Sequence, residues 1–319
     1  MNFALLRVGL GTAALAAGLA GLAAVSAAVA APLAPSGVSN ASSLYTFKSV
    51  VDPADPTFDQ LLGINDHGLV VGYYGSGADA KHPNKGISLT VPNVSSFTDE
   101  NYPGAAQTQV VAVTGNGNTA GFWVDAKGAN HGFIDWNGVF TTVDDPLAGG
   151  KVKTTQILGM NNAGVAVGFY NDAAGNPHAF KYNQQTGKFT PLTPPDADSA
   201  VATGINASDQ ITGFLTRGKA TASFFVTKGR YDEFDVPGST NTQAFGLNAK
   251  DEIVGSYVDA AGKTHGFSVT SPAMHPQFRT IDDPMGIGNT ILNGVNDKGQ
   301  VVGFYMTTAN KTIGLVATP

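Results

Sequence analysis

A short motif, Gly-x-Asn or a close variant, recurs six times along this chain at intervals of 42 to 49 residues. The copies are Gly63-Ile64-Asn65, Ala112-Val113-Thr114, Gly159-Met160-Asn161, Gly204-Ile205-Asn206, Gly246-Leu247-Asn248 and Gly294-Val295-Asn296. Periods of this length are typical of propellers and solenoids, in which each repeat buries an apolar face against its neighbours. The number of strands in one period therefore decides between the candidate folds.

Each period holds four strand-like segments, which we call a, b, c and d. In the third copy they span residues 156–161, 165–171, 178–182 and 189–192. Each is short, rich in β-branched or aromatic residues, and bounded by turn residues. Charged residues make up only 13% of the chain and glycine reaches 40 residues. This composition favours strands and tight turns over solvent-facing helices, so we expect little helix after residue 30.

The turns and strand b repeat their own signatures. The a–b turns place Asn first and Gly last, as in Asn161-Asn162-Ala163-Gly164, and Asp209 or Asp251 takes the Gly position in copies four and five. Gly and Asp both tolerate the positive φ that the last position of such a turn requires. Strand b always contains a Gly, followed in five copies by an aromatic residue. That Gly predicts a bulge or the close approach of another backbone.

The two ends of the chain complement each other. The repeats begin with a lone d-type strand at residues 47–53 and finish with a c-type strand at residues 313–318. Pairing these two strands would complete the last copy and leave no open edge. The sequence therefore predicts an all-β, six-bladed β-propeller of four-stranded antiparallel blades over residues 44–319, closed by the N-terminal strand. We expect such a closed ring to be a monomer.

Residues 1–30 resemble a secretory signal peptide, with one basic residue, Arg7, and an apolar run that ends in Ala28-Val29-Ala30. The alternative is a retained membrane anchor, and residues 31–43 are interpreted as a linker. We therefore expect a secreted or periplasmic protein with no later membrane span. Cleavage would change the formal net charge from −6 to −7, which argues against nucleic acid as a partner. The absence of cysteine excludes disulfides and thiolate metal sites.

Three of the c strands open with His131-Gly132-Phe133, His178-Ala179-Phe180 and His265-Gly266-Phe267. Together with the Gly-x-Asn motif and the strand-b glycines, these tripeptides resemble the probable extracellular repeats of the HAF (His-Ala-Phe) family. The resemblance covers about residues 45–319, although copies one, four and six lack the tripeptide. It implies an exported bacterial repeat protein, and it brings no reaction and no catalytic residues.

The three histidines each follow an aspartate by six residues, as in Asp172 and His178. In copies four and six both residues are absent together. This joint occurrence favours a hydrogen-bonded pair across the b–c hairpin, with the Asp opening an Asp-x-x-Gly turn. A metal site built from the three imidazoles is the alternative.

Other candidate sites have weaker support. No nucleophile elbow, P-loop or zinc motif is present, so we predict no catalytic and no cofactor-binding residues. The strand-b aromatics could stack on glycans, but their recurrence favours the core between blades. These aromatics are Trp123, Tyr170, Tyr257 and Tyr305. Trp136 does not recur and is kept as a possible exposed contact.

Charge separates the two ends of the predicted sheets. The end with the b–c turns and d–a crossovers collects many acidic residues, among which Asp144, Asp145, Asp282 and Asp283 form the candidate binding set. Hard oxygen ligands suit calcium, which is the one possible cofactor. The end with the a–b and c–d turns has fewer acidic residues and carries Lys188, Lys228, Arg230, Lys250 and Lys298.

These observations favour a non-catalytic propeller that binds a protein, glycan or cation ligand through its loop faces. One alternative is a propeller hydrolase or lactonase with a metal in the channel, which rests on analogy of fold. A structural envelope or matrix protein is the other. Inward-pointing carboxylates in a deep channel pocket would favour the enzyme.

Overall fold

The computed structural model describes residues 37–286 and 288–319, so the predicted signal peptide and most of the predicted linker lie outside the described residues. The strands of blades 1 to 3 are β3 (Asp59–Ile64), β4 (Leu69–Tyr74), β5 (Lys85–Thr90), β6 (Asn93–Asp99), β7 (Gln107–Val113), β8 (Thr119–Val124), β9 (Asn130–Trp136), β10 (Val139–Val143), β11 (Thr155–Met160), β12 (Val165–Asn171), β13 (Pro177–Asn183) and β14 (Lys188–Pro191). The other strands are β1 (Val38–Asn40), β2 (Thr46–Val50), β15 (Ser199–Ile205), β16 (Ile211–Arg217), β17 (Ala220–Thr227), β18 (Arg230–Phe234), β19 (Asn241–Leu247), β20 (Ile253–Val258), β21 (Thr264–Thr270), β22 (Gln277–Thr280), β23 (Thr290–Val295), β24 (Val301–Met306) and β25 (Thr312–Thr318).

The strands form six separate antiparallel meanders, which confirms the predicted six-bladed β-propeller. Blades 1 to 5 take four consecutive strands each, beginning with β3, β7, β11, β15 and β19. The a strand of every blade contacts the a strands of both neighbouring blades, so the six a strands surround the central axis. One 3-10 turn, Ser42–Leu44, is the helical element of the described chain.

Blade 6 is completed across the chain ends, as the sequence predicts. β2 supplies its outer strand and pairs antiparallel with β25 over five residues, from Thr46 opposite Thr318 to Val50 opposite Gly314. Val50 is 1% exposed and packs with core residues of blades 6 and 1. The pairing leaves β25 with a hydrogen-bonded neighbour on both sides.

A short strand precedes this closure inside the segment interpreted as a linker. β1 pairs in parallel with β22 and makes blade 5 five-stranded. Val38 is buried there, and Ala41 donates its N–H to the Thr280 carbonyl. The N-terminal segment thus joins the outer edges of two successive blades.

The strand-b glycines lie opposite bulges in the a strands. In every blade the register between strands a and b shifts by one residue at this point, as between Leu61 and Gly63. A Cβ added to Gly72 would stand 2.1 Å from the Gln60 carbonyl oxygen, and one added to Gly168 would stand 1.9 Å from that of Gln156. The prediction of a bulge with close backbone approach is confirmed, because no larger residue fits.

The Asn of the Gly-x-Asn motif links each blade to the next. Its Oδ1 accepts two N–H groups of its own turn, as Asn65 does from His67 and Leu69, both at 3.0 Å. Its Nδ2 donates to a main-chain carbonyl of the following blade. The five bonds are Asn65 to Thr114, Asn161 to Asn206, Asn206 to Asn248, Asn248 to Asn296 and Asn296 to Asn65, at 2.9 to 3.2 Å. We call this ring the amide belt.

The belt has one gap, between blades 2 and 3, because Thr114 takes the Asn position. Thr114 accepts from Asn118 within its own turn but has no amide to donate across the junction. The Asn161 carbonyl, which would be the acceptor, bonds only Gly164 among the described residues. A different contact spans this junction: Gly115 donates its N–H to Asn162 Oδ1 at 2.7 Å.

Deleting β2 should open the ring. We expect a chain that begins at Val51 to melt at a much lower temperature, because β25 then has a free edge and Val50 is lost from the core. A chain that begins at Ser42, which lacks β1 but keeps β2, is the matched control. Equal melting temperatures for the two truncations, measured by circular dichroism, would show that the closure contributes no stability.

Completing the amide belt should stabilise the protein. We expect Thr114→Asn to raise the free energy of unfolding by about 1 kcal/mol, the value of one buried hydrogen bond. Thr114→Asp is the control, since its carboxylate can accept the turn N–H groups but cannot donate to Asn161. Denaturant unfolding compares the two, and an Asn variant no more stable than the Asp variant would contradict the role of the donated bond.

Candidate functional site

The predicted acidic binding set does not form one open cluster. Asp145 and Asp283 are 5% and 3% exposed. Each accepts a turn N–H at 2.8 Å, from Leu147 and Met285 respectively. Burial raises the pKa of both carboxyl groups. The structure therefore places these two aspartates inside the d–a crossovers, where they hold the turn.

Asp144 and Asp282 are each engaged by a histidine of strand c. His131 Nδ1 lies 2.9 Å from Asp144 Oδ2, and His265 Nδ1 lies 2.7 Å from Asp282 Oδ2. Asp282 also accepts the N–H of Gly266 at 3.0 Å. These carboxylates tie the end of strand d to the start of strand c within one blade.

The predicted Asp–His pairs are present to different degrees. His178 Nε2 lies 3.0 Å from Asp172 Oδ2, and His265 Nε2 lies 3.3 Å from Asp259 Oδ2. In blade 2 the corresponding separation, from His131 Nε2 to Asp125, is 3.7 Å, too long for a hydrogen bond. In blade 2 the predicted partner of His131, Asp125, is therefore wrong, because His131 bonds Asp144 instead.

The same histidines stack on the aromatic residues of strand b. The ring centroids of Trp123 and His131 are 4.4 Å apart, and the Tyr170–His178 and Tyr257–His265 pairs stack at 5.3 and 5.1 Å. Tyr257 and Tyr305 are buried, in agreement with their interpretation as core. The His of the tripeptide is therefore a brace between an aromatic face and one or two carboxylates.

The charge state of His265 follows from its surroundings. Burial disfavours the imidazolium, but hydrogen bonds and charges from Asp282 and Asp259 outweigh it and raise the pKa of His265. A His with a raised folded pKa stabilises the protein fully below its unfolded pKa of about 6.5, and this contribution is lost as the pH rises through the folded value.

His265→Gln should therefore destabilise the protein more in acid than in base. We expect a loss of about 2 kcal/mol at pH 5, because two charge-assisted hydrogen bonds disappear, and a smaller loss at pH 9. Denaturant unfolding at both pH values measures the difference. Ser223→Ala, at the position of blade 4 that is equivalent to Gly266, is the control without a titrating group. An equal loss at both pH values would show that the imidazolium contributes nothing.

A second set of recurring bonds lies at the d–a crossovers. The first a-strand residue that faces a crossover is Thr in four copies, and its Oγ1 accepts an N–H at 3.1 Å. The pairs are Tyr102 to Thr108, Asp145 to Thr155, Val236 to Thr242 and Asp283 to Thr290. Before blade 4, Pro194 has no N–H and Ala200 has no acceptor, so the bond is lost from both sides at once.

At the ring closure this position is Asp59. Its Oδ1 accepts the Asp52 N–H at 2.9 Å, while its Oδ2 is buried without a hydrogen-bond partner. The pKa of Asp59 is raised to about 7, mainly by burial. The hydrogen bond from the Asp52 N–H lowers this pKa, whereas the negative charges of Asp52 and Asp55 raise it further. The carboxyl group is therefore neutral in mild acid and ionised only at a cost.

Asp59→Thr should remove a pH dependence of stability. The folded pKa of Asp59 is above its unfolded value of about 3.9, so its favourable contribution is present at low pH and lost as the pH rises through about 7. We expect the natural protein to lose roughly 3 kcal/mol between pH 4 and pH 8 through this group. Chemical denaturation of Asp59→Thr should lack that decrease, with Thr290→Ser as the control. A steep decrease retained in the variant would assign the effect to other groups.

A cleft of about 370 Å³ lies between blades 6 and 1, and we call it the seam cleft. It opens at the end of the sheets that carries the a–b and c–d turns. Its lining residues are Thr46, Lys48, His67, Gly68, Val91, Pro92, Lys298, Gln300, Val316 and Thr318. Lys48, His67 and Lys298 are exposed at the rim. No carboxylate is among the lining residues.

Sequence reasoning missed the seam cleft, because the last residue of strand c in blade 6, Thr318, is also Thr in blades 1, 4 and 5 and so gives no signal. In blade 2 the last residue of strand c is Trp136, and its indole lies 3.6 Å from the Cβ position of Gly164 in blade 3. The interpretation of Trp136 as an exposed contact is thus corrected, since it is half-buried and packs on the next blade. In blade 6 the same position holds Thr318, so the space beside Gly68 stays open.

A second cavity, of about 260 Å³, is the mouth of the central channel at the same end. It is lined mainly by the amide belt and by the turn residues that follow it. Asp66 and Asp297 are its acidic members, and each accepts a main-chain N–H at 2.8 Å. Within residues 37–286 and 288–319, no group of three His, Asp or Glu side chains is placed to hold a metal.

Calcium binding by the acidic set stays a prediction. Asp144 and Asp282 would have to exchange their histidine partners for the ion. If they do, calorimetric titration with calcium should give saturable heat that the double variant Asp144→Asn, Asp282→Asn loses. Lys188→Gln is the control, and a heat that survives the double variant would place the ion elsewhere.

No known sequence family matches the chain, and no curated protein matches it. Solved structures match in fold. AofleA from Arthrobotrys oligospora superposes with a TM-score of 0.54 and 11% identity over 89% of this chain and 92% of that one. TolB from Acinetobacter baumannii gives 0.53 and 10% over 79% of this chain, which corresponds to 64% of TolB. The SapL1 lectin, solved with alpha methyl fucoside, gives 0.50 and 11% over 82% and 93%.

Identities this low establish the propeller fold alone. Among the described residues, no helix is long and apolar enough to cross a membrane.

Proposed function

We propose that this protein is an exported, non-catalytic β-propeller that binds a ligand through the loops at the end carrying the a–b and c–d turns. The observation that carries the proposal is the seam cleft, an open concavity between blades 6 and 1; between blades 2 and 3 the equivalent space is filled by Trp136. Its volume lies in the range of small-molecule sites. A sequence that resembles a signal peptide supports export.

Several observations support binding over catalysis. The four aspartates of the candidate set at the opposite end hold turns or histidines. The carboxylates at the channel mouth accept main-chain N–H groups. Neither cavity brings together a nucleophile, a base and an orienting group, which hydrolysis requires. The SapL1 lectin illustrates that a propeller of related shape binds a sugar derivative. The repeats also support membership of the HAF family, which we include in the proposal.

A glycan array followed by a turnover assay tests this function. We expect the protein to bind a subset of glycans reversibly, and to release no product from bound glycans or from a panel of lactones. Metal-dependent product release would replace the proposal with the hydrolase alternative. Absence of binding to glycans, peptides and small acids alike would favour a structural envelope or matrix protein.

A further inference from the structure

Two lysines and a histidine line the seam cleft, and neither lysine forms an ion pair with a described residue. Lys48 is on β2 and Lys298 is in the a–b turn of blade 6, while His67 is in the a–b turn of blade 1. Lys48 Nζ reaches only the Pro92 carbonyl, at 3.4 Å. The Lys and Arg ion pairs found in the described chain involve Lys181, Arg217 and Arg230 instead. Lys48, Lys298 and His67 thus line one cleft of a protein whose formal net charge is −6.

The floor and rim of the cleft have different chemistry. Val91, Pro92 and Val316 supply apolar surface, whereas Thr46 and Thr318 supply hydroxyl groups. Gln300 has its Oε1 fixed by Asn296 Nδ2 at 2.9 Å, which leaves its NH₂ group to donate. A sugar ring matches this pattern, because it has C–H groups on one face and hydroxyl groups around its edge.

From this geometry we infer that the seam cleft binds one carboxylated sugar residue at the end of a glycan. The ammonium groups of Lys48 and Lys298 would contact the carboxylate, the apolar floor would contact the ring, and the hydroxyl and amide groups would contact the sugar hydroxyls. This inference rests on the proposed function, to which it adds a site and a ligand class.

The surroundings of the cleft favour a single acidic residue over a polyanionic chain. Asp66 and Asp297 lie at the tips of the same two a–b turns, next to His67 and Lys298. Their negative charges would repel further anionic units that extend from the cleft. The carboxylate source, a sialic acid or a uronic acid, is left to the experiment.

The chain offers a matched variant that closes the cleft without a change of charge. Thr318→Trp copies the residue that blade 2 carries at the equivalent position, where Trp136 packs over Gly164. The double variant Lys48→Gln, Lys298→Gln removes charge from exposed positions and so keeps the fold. Lys188→Gln, an exposed lysine of β14, is the control.

Isothermal titration calorimetry with 3′-sialyllactose, cellobiouronic acid and lactose tests the inference. We expect one or both acidic glycans to bind at least about tenfold more tightly than lactose. Thr318→Trp should abolish this binding, the double lysine variant should remove the preference for the acidic glycan, and Lys188→Gln should change neither.

Three results would overturn the inference. These are equal affinity for lactose, binding that survives both cleft variants, and tighter binding of a penta-aspartate peptide than of either acidic glycan. Binding of neutral glycans elsewhere on the surface would leave the proposed function intact, whereas product release from any of the glycans would reject that function itself.

Discussion

The structure depends on how closely six inner strands approach one another around the axis. At the Gly of the Gly-x-Asn motif, a Cβ on Gly246 would stand 2.7 Å from the Asn293 carbonyl oxygen of the next blade. The adjoining Asn then bonds across the same junction. The first position of the motif thus requires a small residue, and the third position requires a side chain that donates a hydrogen bond. These two requirements explain why the motif is the clearest repeat in the sequence. Blade 2 departs from both, with Ala112 and Thr114, and a bond from Gly115 to Asn162 spans its junction instead.

Much of this fold could be predicted because its determinants are local and repeated. The turn residues at the a–b hairpins have the positive φ that the sequence indicates, 72° at Gly164 and 60° at both Asp209 and Asp251. The closure by β2 follows from counting strands. β1 could not be found in this way, since its three residues pair in parallel with a strand of blade 5 and resemble no other part of the repeat.

The candidate site was harder to predict because it depends on which copy is exceptional. Counting aspartates at one end of the sheets ignores that Asp145 and Asp283 are buried in turns. Aligning the copies is more informative. Glu100, which accepts from Thr119 at 2.9 Å, occupies a strand-d position that is apolar in the other five copies, and Asp59 and Trp136 are exceptions of the same kind. The role of such an exceptional residue also depends on its neighbours in three dimensions. The strand pattern of a sequence does not show those neighbours.

The closure by β2 also has a consequence for the order in which the protein can fold. β2 is synthesised at the beginning of the propeller, but its partner β25 ends one residue before the last residue of the chain. Every blade must therefore exist before the ring can shut, and the pairing has very high contact order. A chain that is still emerging from a ribosome has an open ring with bare strand edges. Completion of the ring thus reports that all six blades have been synthesised.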